Sequence, residues 1–256
     1  MDGVPVRKLA EGVYSLRRPG AHIHDERLDL SLPPDLVRGG LTLVFPSIHK
    51  SEQNVPCLTV HPIGNPGPRA EVGGRPRVLV PTDPLRMGWA LRALSARAAE
   101  EGLSATYEAT HHGPELALPA FFVEIGFGLL PEPPAAAVRI LAEEIPRISA
   151  EGGERVALAV GGGHYAPHFT DLALRRRWSF GHIVSRHALA GLDPPTARAA
   201  YEQTVGAEGI VYARAEDANH RALQELGPRL RDGEAPGRAK GSDGGPTPDA
   251  RAASGT

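Results

Sequence analysis

The sequence predicts an α/β fold with a mostly parallel central sheet and helices on both of its faces. Two patterns lead to this prediction: short apolar runs that end at turn residues, and amphipathic helical stretches that alternate with them. The apolar runs are continuous, which is typical of parallel strands buried on both faces. We predict strands over residues 41–45, 57–60, 103–109, 121–125 and 155–160.

The clearest helix follows Asp83 and Pro84, which suit an N-cap and a first helical turn. Its apolar side chains share one face at helical spacing: Met87, Leu91, Leu94 and Ala98. A second helix is predicted with an apolar face made of Val138, Leu141, Ala142 and Ile145. Further helices are expected to begin near residues 170 or 171 and near 196, and to run over 217–230.

The composition predicts one sizeable globular domain, because 41% of the 256 residues are hydrophobic, and we assign it to residues 1–231. Residues 232–256 are mainly Gly, Pro, Ala and charged residues without apolar periodicity, so we predict a disordered tail. No apolar run approaches the roughly 20 residues that cross a bilayer, and residues 1–20 are too charged for a secretory signal. We therefore expect a cytoplasmic protein without a membrane partner.

The sequence contains one cysteine, which excludes an intrachain disulfide and any cysteine-rich zinc module. Cys57 lies in the apolar stretch VPCLTV, and nothing near it in the sequence indicates an activated thiol. The surroundings favour a small core residue over a catalytic nucleophile.

Several histidines lie at or just beyond the ends of predicted strands: His49, His61, His111, His112 and His164. Ligands of open α/β sheets bind beyond the carboxyl ends of the strands, where imidazole transfers protons or binds a metal. A single histidine is more often structural, but their common edge favours a site. Four other histidines lack this placement and are assigned to the surface or to packing: His22, His24, His187 and His220.

The stretch THHGP places two adjacent histidines before a glycine and a proline. Neighbouring side chains of a regular strand point to opposite faces, so His111 and His112 serve one centre only if the backbone turns there. Glu124 lies within the apolar stretch FFVEIG, where an unpaired carboxylate is costly. We expect it to contact a metal or a histidine, the alternative being a salt bridge to an arginine.

The stretch GGGHYAPHFT combines three glycines with His164 and Tyr165. It carries no GK[ST], so it is not a Walker loop, and the chain also lacks G-x-G-x-x-G, G-x-S-x-G and H-E-x-x-H. The loop is predicted to offer backbone N–H groups to an anion or a carbonyl oxygen. The alternative is a tight connection between a strand and a helix.

Four motifs occur in one order along the chain: LTVHPIGN at 58–65, THHGP with FFVEIG over 110–126, GGGHYAP at 161–167 and FGHIVS at 180–185. In this order they resemble the archaeal and plant-type D-aminoacyl-tRNA deacylases. The resemblance implies an α/β fold similar to those of peptidyl-tRNA hydrolases and phosphorylases. It also implies hydrolysis of the ester that joins a D-amino acid to the 3′ end of tRNA, and a zinc requirement.

The resemblance suggests roles for the candidate residues. The predicted zinc ligands, some of which could act as bases instead, are His111, His112, His164 and Glu124. These four and Tyr165 are the predicted catalytic residues. The predicted substrate-binding residues are Gly161, Gly162, Gly163, His61, Asn65 and Lys50. A mechanism without a protein base, in which the terminal ribose hydroxyl helps to activate water, remains an alternative.

The expected partner is tRNA rather than DNA, and a monomer is expected. The net charge of −2 provides no global basic field, so tRNA needs a local patch. Its candidates are Lys50, Arg69, Arg75, Arg77, Arg175, Arg176, Arg177 and Arg186.

Two departures from the family leave other functions open. Residues 1–20 show no clear counterpart of the strand and helix with which family members begin, and FGLLPEPPA over 127–135 is more apolar than expected. One alternative is a metal-dependent hydrolase of small amino-acid esters or peptides. The other is a non-catalytic tRNA-binding relative.

Overall fold

The protein, described here by a computed structural model, forms an α/β structure over residues 6–18, 20–50, 56–150 and 154–231. The predicted disordered tail, 232–256, lies outside the described residues. The strands are β1 Val6–Ala10, β2 Val13–Leu16, β3 Leu43–His49, β4 Cys57–Pro62, β5 Ser104–Tyr107, β6 Ala120–Gly126, β7 Arg155–Val160, β8 Trp178–Val184, β9 Gly209–Tyr212 and β10 Arg229–Leu230. The α-helices are α1 Pro34–Arg38, α2 Pro84–Glu100, α3 Ala135–Glu144, α4 Pro167–Arg176, α5 Arg186–Leu189 and α6 Pro194–Glu202.

Two four-stranded sheets make up the body of the fold. The first has the order β3-β6-β4-β5; β3 is parallel to β6 and β4 to β5, but β6 and β4 are antiparallel. The second, β10-β9-β7-β8, is parallel throughout. The predicted α/β class is confirmed, whereas the single central sheet is replaced by one mixed and one parallel sheet. A separate hairpin of β1 and β2 precedes them.

Helices cover both faces of the second sheet but only one face of the first. Leu158 and Val160 of β7 pack with α6, while Ala157 and Ala159 belong to the core shared with α2 and α4. In the first sheet, Leu58 and Val123 pack into that same core. The opposite face packs at one end around Phe45 and Phe122 but otherwise carries polar side chains.

Helix α2 confirms the prediction for its start and its buried face. Asp83 accepts a hydrogen bond from the Arg86 N–H at 3.1 Å, and Pro84 is the first helical residue. The predicted apolar residues are all buried: Met87, Leu91, Leu94 and Ala98.

The predictions for three other helices differ from the structure in part or in whole. Helix α3 buries Ala137, Ile140, Leu141 and Glu144. Val138 is exposed, because the buried i, i+3, i+4, i+7 set begins one residue earlier than the apolar pattern indicated. Helix α4 begins at Pro167, three residues before the predicted start, because proline suits the first turn.

The predicted helix over 217–230 is absent. The 3₁₀ segments Ala215–Asn219 and Arg221–Leu223 occupy its first half, and β10 ends it. The segment contains Gly227 and Pro228, which do not sustain a helix, and the His220 ring accepts the N–H of Ala222 between the two 3₁₀ segments. Strands β8 and β9 were not predicted; in β8, buried Ser179 and His182 interrupt the apolar run.

Within the described residues, no helix combines the length and apolarity that crossing a bilayer requires.

Candidate active site

The polar face of the first sheet is built by the alternation of its strands. Glu124 on β6 lies opposite Ser47 of β3 on one side and Thr59 of β4 on the other. His61 is two residues beyond Thr59, and His49 is two residues beyond Ser47, so both share the face of Glu124. The carboxylate of Glu124 therefore lies between one histidine of β3 and one histidine of β4.

The Glu124 carboxylate contacts both of these histidines. His49 Nδ1 donates to Glu124 Oε2 at 2.8 Å, and His61 Nε2 lies 3.6 Å from the same oxygen. Burial disfavours the charged carboxylate, but the two imidazoles outweigh it and hold the pKa of Glu124 well below its usual range. The hydrogen bond to Glu124 in turn raises the pKa of His49. Burial lowers the pKa of His61, but Glu124 and Glu108 reverse this effect and raise it overall.

His111 and His112 enter the same site through the predicted backbone turn. His112 has a φ of +44°, a left-handed conformation that breaks the strand alternation. The ring centroids of the pair are 4.4 Å apart, and the His61 ring is 4.0 Å from that of His111. The expectation that both histidines serve one centre is consistent with this geometry.

Carbonyl groups fix the tautomers of this pair. His111 Nδ1 donates to the Ala109 carbonyl at 2.7 Å, and His112 Nδ1 donates to the Gly113 carbonyl at 2.6 Å. Burial, together with the neighbouring imidazoles, holds the pKa of His111 well below its ordinary value and lowers that of His112 to about 4. Each ring is therefore neutral near pH 7, with Nε2 as a proton acceptor or metal ligand.

The glycine loop of residues 161–163 places His164 next to His111. The two ring centroids lie 4.6 Å apart, and the His164 carbonyl accepts the Ala109 N–H at 2.7 Å. The Gly161 N–H donates to the Val184 carbonyl at 2.8 Å, so this amide is already engaged. Gly162 has a φ of +77°, and Gly163 is exposed.

Glu108 is a further site residue, which was not predicted from the sequence. It directly follows β5 and is 1% exposed. Its carboxylate lies 3.7 Å from His164 Nε2, 3.8 Å from His111 Nε2 and 3.9 Å from His49 Nε2. Neither oxygen accepts a hydrogen bond from any described residue. Its position three residues before His111 in a strand-terminal stretch was the one signal available.

The remaining predicted residues lie at different distances from this centre. Tyr165 pairs through its backbone with Glu108, its ring centroid is 5.5 Å from that of His164, and its side chain hydrogen-bonds Cys57. Cys57 is buried, as predicted for a core residue, and burial raises the pKa of its thiol. Asn65 instead donates to the Gly73 carbonyl at 3.0 Å, and Lys50 is exposed directly after β3.

Among the described residues, three overlapping sets of side chains could hold a metal ion, each with its ligand atoms within 4.8 Å of one another. The sets are His61 with His111 and His112, Glu108 with His111 and His164, and His61 with Glu108 and Glu124. Each of the four predicted ligands occurs in one or more of these sets, but no set contains all four. Glu108 and His61, which were not predicted as ligands, connect the sets.

The chemistry of these side chains is suited to binding a cation. Both Glu108 oxygens and His61 Nε2 are buried without a hydrogen-bond partner among the described residues. A buried carboxylate is costly unless a positive charge or a donor compensates it. Imidazole nitrogen and carboxylate oxygen are also ligands that zinc commonly takes.

These groups line a cavity of about 510 Å³. Its inner side carries Glu108, Glu124, His49, His111, His112 and His164. Residues 46–48, Val72 and residues 20–23 provide further walls. The cavity opens on the face of the first sheet that no α-helix of the described residues covers.

Comparison with known proteins places this site within one family. Residues 41–227 match the model of the family described as D-aminoacyl-tRNA deacylase. The chain is 43% identical over 188 residues to the D-aminoacyl-tRNA deacylase of Methanoregula boonei, covering 72% of this chain and 41% of that protein. It is 37% identical over 193 residues to that of Pyrococcus horikoshii, covering 73% and 69%.

A solved structure shares the fold. It is described as a conserved protein of unknown function and matches with a TM-score of 0.72 and 28% identity, covering 87% of this chain and 81% of the other. The chain spans about two fifths of the length of the Methanoregula boonei relative and of the one from Methanoculleus marisnigri, which is 39% identical over 194 residues. Because the match covers residues 41–227 with all four motifs, the chain belongs to the D-aminoacyl-tRNA deacylase family.

Proposed function

We propose that this chain hydrolyses the ester bond of D-aminoacyl-tRNA, releasing a D-amino acid and free tRNA. The observation that carries the proposal is the cluster of His49, His61, His111, His112 and His164 with Glu108 and Glu124 at one cavity, in a chain of this family. The proposal includes a single catalytic domain over residues 1–231, a cytoplasmic location, a monomer, and tRNA rather than DNA as the partner.

Zinc is the metal proposed for the site. One of the three overlapping sets would hold it, and the set of His61, His111 and His112 would leave Glu108 and Glu124 free. When bound in such a site, zinc lowers the pKa of a water molecule to about 7 and polarises a carbonyl group.

The protein groups have separable tasks in ester hydrolysis. Glu108 carries a carboxylate without a hydrogen-bond partner among the described residues and can accept a proton from the attacking water. Neutral His111 and His112 offer further acceptor nitrogens. The amides of Gly162 and Gly163 are the proposed donors to the developing oxyanion, since that of Gly161 is engaged by Val184. Tyr165 is proposed to orient the substrate.

The tRNA contact is proposed to be local. Several candidate cations form ion pairs with carboxylates: Arg69 with Glu71, Arg75 with Glu115, Arg77 with Asp193, Arg175 with Asp171, Arg177 with Glu154 and Arg186 with Asp217. Lys50 is exposed directly beyond His49 and is the best placed to reach a phosphate near the cavity. Binding should weaken as salt increases.

The test measures ester loss from tRNA charged with D-tyrosine or L-tyrosine. We expect the zinc-loaded protein to accelerate loss of the D-ester selectively, and chelation or His164→Ala to reduce the rate at least about 100-fold. His168→Ala is the matched control, because His168 lies exposed on α4 and does not line the cavity.

Other outcomes would identify the alternatives. Equal hydrolysis of free D-amino-acid esters and charged tRNA would favour the small-molecule hydrolase. Binding of tRNA without turnover would favour the non-catalytic relative. Full turnover after thorough chelation would remove zinc alone from the proposal.

A further inference from the structure

One wall of the cavity comes from a segment that precedes the family match. Residues 20–23 line the cavity, whereas the match to the family begins at residue 41. The sequence pattern predicts a surface or packing role for His22 in this segment, whereas the structure places it among the cavity-lining residues.

The segment is fixed to the rest of the protein. The Glu26 carboxylate accepts the N–H of Gly74 at 2.6 Å and that of Glu115 at 2.5 Å. A Cβ added at Gly73 would lie 1.9 Å from the Ile23 carbonyl oxygen, so only glycine permits this close approach. Leu28 is buried with Phe45 and Phe122. The wall is therefore a docked part of the fold.

An acidic partner orients the His22 imidazole. His22 Nδ1 lies 2.9 Å from Asp25 Oδ2. A carboxylate only accepts, so Nδ1–H is the donor and Nε2 is left as the acceptor. The Asp25 side chain is mostly buried, and Arg18 Nε lies 3.7 Å from its other oxygen. The carboxylate therefore fixes both the ring orientation and the tautomer.

A chain of aromatic contacts connects His22 with the histidines of the site. The His22 ring centroid is 6.1 Å from that of Phe45, which stacks on Phe122 at 4.9 Å. The Phe122 ring lies 5.1 Å from His61 and 5.0 Å from His112. Because His22 and His112 line the same cavity, a bound aminoacyl ester can contact both.

We propose that His22 is a substrate-contact residue whose Nε2 accepts a hydrogen bond from the α-ammonium group of the aminoacyl ester, with Asp25 as its positioning residue. The assignment rests on the proposed function. The negative carboxylate behind the ring favours a cationic donor over a neutral hydroxyl. With the ester held at the histidines and the ammonium at His22, the amino-acid side chain has one remaining direction, which links this contact to the choice between enantiomers.

The kinetic test compares D-tyrosyl-tRNA with N-acetyl-D-tyrosyl-tRNA, which lacks the ammonium group. We expect His22→Ala to lower kcat/KM on the first substrate by about 10- to 100-fold, the size of a charge-assisted hydrogen bond. The same substitution should change kcat/KM on the acetylated substrate less than about twofold. His22→Gln, which keeps an acceptor oxygen, should recover part of the loss.

The matched control is His24→Ala, since His24 lies exposed at the end of the 3₁₀ helix His22–His24 and is not among the cavity-lining residues. It should leave both substrates unaffected. An equal loss on the two substrates by His22→Ala would overturn the proposal and indicate a structural role or a contact with the ribose hydroxyl. A change of less than about twofold on the ammonium-bearing substrate would overturn it as well.

A binding measurement separates this inference from the proposed reaction. The ¹⁵N resonances of the His22 ring in the zinc-loaded protein should shift on addition of D-tyrosinamide and not of N-acetyl-D-tyrosinamide. A protein that shifts in this way but hydrolyses no ester would disprove the reaction and retain the ammonium site. The absence of a shift would disprove the site even if hydrolysis is observed.

Discussion

The two faces of the first sheet use the same four strands for different purposes. On one face, Leu58 and Val123 pack beneath helices with no exposed surface. On the other, Thr59, His61 and Glu124 are also buried, and Glu124 lines a cavity. Burial alone therefore does not distinguish core from site. The difference lies in the cluster of polar atoms on the second face, where Thr59 Oγ1, His61 Nε2 and both Glu108 oxygens have no hydrogen-bond partner among the described residues.

The largest expected effect follows from replacing Glu108 on the polar face. Glu108→Gln should lower kcat/KM for D-aminoacyl ester hydrolysis by about 100- to 10,000-fold, because it removes the proposed proton acceptor. The same substitution should leave the free energy of unfolding of metal-free protein unchanged or raise it, since it removes a buried carboxylate that accepts no hydrogen bond from the described residues. Kinetics and urea unfolding of the two proteins test both signs. A variant with a lower free energy of unfolding and an unchanged kcat/KM would contradict both expectations.

The opposite result is expected on the apolar face. Leu58→Ala should lower the free energy of unfolding by about 2–5 kcal/mol, because it leaves a cavity under α2. The kcat of the protein that remains folded should stay within about twofold of the original value. Urea unfolding and an assay well below the unfolding temperature provide the measurement. A large loss of kcat at preserved stability would show that the two faces are not independent.

A buried histidine of the second sheet, His182 on β8, makes the stability of the protein depend on pH. Burial lowers its pKa to about 3 from 6.5, so the folded state keeps it neutral while the unfolded state takes up a proton below about 6.5. The unfolded state thus binds more protons between these values, and stability falls as the pH decreases through this window. The contribution of one such group approaches about 1.4 kcal/mol per pH unit.

His182→Asn should reduce this slope, since asparagine does not titrate but retains a polar partner for Thr110, which lies 3.1 Å from His182 Nδ1. Urea unfolding of chelated protein at about pH 7, 6 and 5 measures the slope. An unchanged slope would assign the acid sensitivity to the histidines of the cavity instead.

The smallest effect is expected for Thr59, whose hydroxyl is buried without a partner among the described residues. Thr59→Val preserves the shape and removes the orphaned hydroxyl, so the free energy of unfolding should stay equal or rise by up to about 1 kcal/mol. Activity should change less than about threefold if the hydroxyl serves neither substrate nor metal. A larger loss, measured by the same ester assay, would add Thr59 to the working part of the polar face.

The sequence predicted the histidine part of the site because strand ends and a glycine–proline turn are local signals. His111, His112 and His164 do converge, and Glu124 does contact histidines. Glu108 was not predicted as a site residue because one acidic residue at a strand end has no distinguishing pattern. His22 was not predicted either, because its position depends on how a segment distant in sequence packs against the site.

The fold was predicted to a similar extent. Apolar runs located five strands and the Asp83 cap located α2, since both depend on neighbouring residues. The antiparallel pairing of β4 with β6 and the division into two sheets are long-range properties without a local signal. The error over 217–230 arose because helical apolar spacing there competes with a glycine, a proline and a histidine cap.

The alignment of three strands determines whether Glu124 has its two imidazoles. A slip of β4 by a single residue against β6 would turn His61 away from the carboxylate and expose an apolar side chain in its place. A molecule with that error would lack one of the imidazoles of the proposed site. Uptake of the proposed zinc ion by refolded protein would then report the fraction of correctly aligned molecules.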